Sequence, residues 1–176
     1  MEADIMIQSE EIPPFYRGYF QQVGNRNPLD LLRENADELM KFLKNIPEET
    51  WDFAYAPEKW TVKELLGHII DSERIFQYRL LRFSRGDSTE LPGFDQDIFV
   101  AAGNAARRSP QSLLREYHAV REAGLSLLES LSSSELEKRG KANGYEIMAG
   151  WIPYFMAGHE MHHIHILKER YFPTEN

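Results

Sequence analysis

Four stretches of this chain read as amphipathic α-helices, the first and third by apolar residues at alternating steps of three and four, the period that places them on one helical face. In the first, Leu29, Leu32, Ala36, Leu39, Leu43 and Ile46 follow an Asn27-Pro28 start, with the asparagine as cap and the proline at the first helical position, and Pro47 ends the run. The second opens at Thr61-Val62-Lys63-Glu64, where a threonine hydroxyl and a glutamate can satisfy each other's free backbone donors, and runs to about residue 85. The third starts at Ser109-Pro110 and carries Leu113, Tyr117, Val120, Gly124, Leu127 and Leu131 on its inner face. The fourth spans about residues 147 to 171, with Lys168 and Arg170 where positive charge suits a helix C-terminus and Pro173 just beyond. No alternating strand pattern competes.

Four long amphipathic helices predict an all-α fold, a four-helix bundle of antiparallel type formed by residues 28 to 176. Residues 1 to 27 have no sustained period, but "PPFYRGYFQQV" is rich in proline and aromatic rings, which suits an ordered N-terminal arm packed on the bundle. A loop containing a short helix, "LPGFDQDIFVAAGNAARR", is expected between the second and third helices, and "LSSSELEKRGKANG" reads as a polar connection with one helical turn.

At 176 residues the chain suits one core. Its 20 basic residues against 28 acidic ones, a net charge of -8, provide no electrostatic basis for wrapping nucleic acid or an anionic membrane. The acidic N-terminus has no secretory pattern and no apolar run is long enough to span a bilayer, so a cytoplasmic location is expected. Cysteine is absent, so any metal would be held by nitrogen and oxygen.

"GHEMHHIHILKER" (residues 158–170) holds four of the six histidines. At about 100° per residue, His159 and His163 lie about 40° apart in the sector of Ile152, Met156, Ile166 and Leu167, whereas His165 turns toward solvent and His162 sits at the edge. On the second helix His68 shares a face with Leu65, Ser72 and Ile75. Two imidazoles one turn apart and a third from a facing helix give three nitrogens with coordination positions left open, the pattern of a catalytic metal site. Against this stands the ordinary fate of lone inward histidines, which are core groups with satisfied hydrogen bonds.

His159-Glu160-Met161-His162-His163 also matches H-E-x-x-H, but only thirteen residues follow and the third ligand of a zinc protease is missing, so the match is coincidental in that sense. Glu160 is left either beside a metal or paired with a cation on a neighbouring helix. Asp71 is expected to be a solvated acid before it is a partner of His68; Asp95 and Asp97 suit a helix cap; Trp51, Trp60 and Trp151 suit packing; His118 suits a surface.

"KWTVKELLGHIIDSERIF", "GFDQDIFV" and "KANGYEIMAGWIPYFMAGHEMHHIHILKERYF" together resemble the DinB/YfiT-like metalloenzymes, the damage-inducible family and not the DNA polymerase of that name. The resemblance covers about residues 28 to 173. It implies a four-helix bundle with a non-standard helix order and a divalent metal, zinc or nickel before iron or manganese, on His68, His159 and His163. It further implies a small-thiol substrate, with activity as a thiol S-transferase or hydrolase, and a homodimer. The alternative is a non-catalytic metal-binding or stress-related homodimer.

Overall fold

The computed structural model describes residues 11–173, so the first ten residues of the expected arm lie outside it. The four long helices are present: α2 (Pro28–Asn45), α3 (Val62–Ser84), α5 (Pro110–Glu129) and α7 (Ile152–Ile166), with three short ones, α1 (Arg17–Val23), α4 (Gln96–Ala102) and α6 (Ser133–Leu136). Their starts follow the sequence signals. The Asn27 side chain accepts a bond from the Leu29 N–H, Thr61 and Glu64 close a reciprocal capping box, and Ser109 accepts from the Ser112 N–H. At the other end of α2, Ile46 turns extended before Pro47, whose ring disfavours a helical predecessor. Among the described residues no helix is long and apolar enough to cross a membrane.

The bundle departs from the expected antiparallel winding. The packed long-helix pairs are α2 with α5, α5 with α3, α3 with α7, and α7 with α2, so α2 lies diagonal to α3, and α5 diagonal to α7. Pairings along the seams give the directions. Arg33 near the start of α2 bonds Glu129 at the end of α5, and Leu43 and Lys44 at the end of α2 border one cavity with Leu114 and Arg115 near the start of α5, so α2 and α5 are antiparallel. Trp60 meets Tyr171 and Phe76 meets His159, so α3 and α7 are antiparallel too. Asn35 donates to the Ala157 carbonyl at 3.1 Å and Phe42 meets Phe172, which makes α2 and α7 parallel. The pairing of Arg74 with Glu116 and of Gln77 with Val120 makes α3 and α5 parallel. Long connections permit this order, because each can cross an end of the bundle where a tight turn cannot.

A second correction concerns residues 139–148, expected as a polar link running into the fourth helix. They form an antiparallel hairpin, β1 (Arg139–Ala142) and β2 (Tyr145–Met148), and α7 starts five residues later than the periodicity predicts. Asn143 and Gly144 both have positive φ, 51° and 79°, as a two-residue primed turn requires. Leu91 adds a bridge to Ala142 beside the hairpin.

Arg121 lies at the centre of the core and bonds all three other long helices. Its Nε and Nη2 donate to the two Glu73 oxygens of α3 at 2.8 and 2.7 Å, Nη2 lies 2.8 Å from Glu160 of α7, and Nη1 donates to the Leu32 carbonyl of α2. Tyr117 donates its hydroxyl to Glu160. Burial holds that phenol protonated well above its usual value, and burial also raises the Glu160 carboxyl against the pull of Arg121.

α7 has no continuous solvent face, which is why its apolar residues run almost all round. α1 covers the side that α2 and α3 leave free. Tyr16, just before α1, stacks on Phe155 at 4.2 Å, and the α1 backbone comes so close that a Cβ at Gly158 would overlap the Tyr19 carbonyl.

Candidate metal centre

His68 lies in the second turn of α3, and His159 and His163 lie one turn apart on α7, all three buried. Their Nε2 atoms converge: His68 to His159 is 3.0 Å and His159 to His163 is 3.1 Å. Burial is the main reason that all three resist protonation. His68 is pushed down to about 4 and His159 to about 3, while His163 falls well below the usual histidine value with added repulsion from its neighbours. At neutral pH the cluster is three uncharged imidazoles.

Such a cluster suits a cation. Three lone pairs converging in a dry site repel one another, and three nitrogens cannot all donate to each other through the same short gaps. An ion about 2.0–2.1 Å from each nitrogen requires nitrogen separations of about 2.9–3.4 Å for coordination angles between octahedral and tetrahedral, and the two short separations fall in that interval. Among the described residues the His163 Nδ1 has no hydrogen-bond partner, and packing holds that ring.

Two clefts reach the cluster, both bordered by α4. One, about 370 Å³, opens at His163 and is lined by Tyr19, Trp60, Gln96, Asp97 and Tyr171. The other, about 320 Å³, opens at His68 and includes Asp71, Phe99 and Arg108. Trp60 packs on His68 with ring centroids 4.8 Å apart, and Tyr19 meets His159 edge-on at 5.5 Å. Burial raises the Tyr19 hydroxyl above its usual value, so it stays protonated.

The remaining candidates sort by direction. Glu160 turns away from the histidines into the Arg121 cluster, so the H-E-x-x-H pattern does not place a carboxylate beside them. His165 is exposed and pairs with Glu169 at 2.9 Å; His162 is half-buried at the edge of the His163 cleft. Asp71 faces Arg74 at 3.8 Å, and Asp95 caps α4 through the Asp97 and Ile98 N–H groups. Trp51 and Trp151 are core residues, and His118 is exposed. The periodicity overlooked Tyr19, whose arm has no period to read, and Arg121, which follows Tyr117 by one turn in the inner stripe and was passed over because it is charged.

The fold and donor set define a helical bundle with a three-imidazole cluster between facing helices, a known setting for bound metals. The chain belongs to the DinB superfamily, whose family model matches residues 31–167. Among solved structures it is similar to YfiT from Bacillus subtilis, described as a probable metal-dependent hydrolase with an unusual four-helix bundle topology. The identity is 18%, with 78% of this chain and 79% of that one covered and a TM-score of 0.68. It is also similar to a mycothiol-dependent maleylpyruvate isomerase, at 13% identity over 90% of this chain and 62% of that one, with a TM-score of 0.64. At these identities the likeness shows the shared fold. No curated protein matches the chain.

Proposed function

We propose that the chain is a divalent-metal-dependent enzyme whose ion is held by the Nε2 atoms of His68, His159 and His163, and that it transfers a small thiol to an electrophile or hydrolyses a small substrate. The observation that carries this is the convergence of three neutral imidazoles at the floor of two clefts. A bound divalent ion would supply a Lewis acid that lowers the pKa of a coordinated thiol or water. The protein's own part is to hold three lone pairs uncharged and aligned by burial, and to exclude bulk water with Trp60 and Tyr19. Gln96 and Asp97 present polar atoms to whatever enters the His163 cleft. Without cysteine, any thiol must arrive as substrate.

The descriptions of YfiT as a probable metal-dependent hydrolase and of the isomerase as mycothiol-dependent support the two chemistries. A cytoplasmic location, where small thiols are kept reduced, fits the thiol chemistry; zinc or nickel suits an all-nitrogen donor set before iron or manganese. A homodimer goes with the same proposal. A sealed centre would favour a non-catalytic metal protein instead, and the two clefts favour the enzyme.

The test is metal content by elemental mass spectrometry on untagged protein. His68→Ala, His159→Ala and His163→Ala should each lose near-stoichiometric metal, and His165→Ala should retain it. If the native chain takes up none from an offered series, or His165→Ala loses it equally, the proposal fails. Small thiols with electrophilic acceptors, and then simple esters and amides, are assayed on the metal-loaded protein; turnover lost in the three alanine variants is the expected outcome.

A further inference from the structure

A cavity separate from the His68, His159 and His163 cluster lies between α2 and α5, on the flank opposite the α3/α7 seam. It measures about 830 Å³, within the range of small-molecule sites. Its walls include Met40, Leu43, Trp51 and Leu114, the last three of them largely buried core residues. Where α2 gives way to the Glu48–Asp52 turn, Trp51 borders the cavity together with Pro110, the first residue of α5.

The rim is polar and predominantly basic. Lys44, Arg115 and His118 border the cavity, with Glu48 as the one bordering carboxylate. Among the described residues neither Lys44 nor Arg115 is held in an ion pair, although Arg33, Arg74, Arg85 and Arg108 all are. Two uncommitted cations beside an apolar trough, on a chain of net charge -8, complement a molecule with an apolar body and an anionic head.

We infer that the α2/α5 cavity is a binding site for a small amphipathic anion, an aliphatic or fused-ring body bearing a carboxylate or sulfonate, whose body lies against Leu43, Trp51 and Leu114 and whose head meets Lys44 and Arg115. This site is separate from the histidine cluster and does not depend on the metal proposal.

The test is titration calorimetry with dodecanoate below its micellar concentration, on the full chain. Saturable 1:1 binding is expected. It should weaken about 10-fold when Lys44→Met and Arg115→Met are combined, the scale for two exposed charge contacts. Ala119→Trp, which fills the trough from an exposed position, should abolish it, and a His68→Ala/His159→Ala/His163→Ala triple variant should leave it intact. Thermal midpoints of the variants check that each is folded, and the Lys44→Met/Arg115→Met pair decides the matter if Ala119→Trp is not. Absence of saturable binding, or equal binding in every variant, overturns the inference. So does a dimer in sedimentation velocity that Ala119→Trp dissociates, since the cavity would then belong to a second copy of the chain.

Discussion

Arg121→Met removes the cation from a cluster in which Glu73 and Glu160 are 5% and 1% exposed. The substitution nearly preserves volume, so its cost is electrostatic. It deletes two bonds to Glu73, the contact with Glu160 and the bond to the Leu32 carbonyl, and leaves two buried carboxylates facing each other. Breaking a buried pair from one side costs about 3–5 kcal/mol. With a urea m-value of about 2 kcal/mol/M for a chain of this size, that moves the unfolding midpoint down by roughly 2 M. The deficit has a defined pH dependence. Burial already raises the Glu160 carboxyl above its unfolded value, and without the pull of Arg121 it rises further, so the penalty is fully present above the folded value and fades as pH falls toward the unfolded value near 4.5. The slope reaches about 1.4 kcal/mol per pH unit for each proton taken up. Urea melts at pH 8 and pH 5.5 should therefore show a smaller gap from the native chain at the lower pH, and adding Glu73→Leu and Glu160→Leu should recover most of the loss. A gap under about 1 kcal/mol, or one that does not narrow at pH 5.5, refutes the assignment of Arg121 as the cation that balances this core.

Other outcomes follow from the same geometry. Glu160→Gln should retain metal and activity, because the carboxylate faces Tyr117 and Arg121; loss of metal from a folded variant, by elemental analysis, contradicts this. Gly158→Ala puts a methyl group 2.6 Å from the Tyr19 carbonyl carbon, where backbone must move, so hydrogen exchange should speed up across Arg17–Val23 at a cost of about 1–3 kcal/mol. In metal-free protein the buried histidines have folded pKa values below 6.5, so the stability they contribute is full above 6.5 and lost as pH falls toward 4 and 3; urea midpoints should drop between pH 7 and pH 5, and less so in His159→Ala. Thr61→Ala breaks the capping box of α3 and should cost about 1 kcal/mol, a few degrees in thermal midpoint.

Helical spacing identified the four long helices, the inward turn of His68, His159 and His163, and the outward turn of His165, because each follows from local chemistry and a period of 3.6. The hairpin was written in Asn143-Gly144, yet its strands are only four residues each, too short for alternation to stand out beside a strong helical period. The winding of the bundle was not legible from the helices themselves, since amphipathic faces specify that a helix is covered and leave open which neighbour covers it. Arg121 lay in the inner stripe, but its role depends on two carboxylates from other helices that no spacing along α5 reveals.

The diagonal placement of successive helices governs how the chain must assemble. α2 has both its long-helix neighbours, α5 and α7, downstream of α3, so its apolar face has no long-helix partner when it first emerges during synthesis. His68 and His159 are separated by 91 positions, and their meeting closes a loop of about half the chain. Folding dominated by such distant pairings is slow compared with an up-down bundle. A metal captured at the histidine cluster would act as a clasp across the wound chain, stabilising the closed form against reopening.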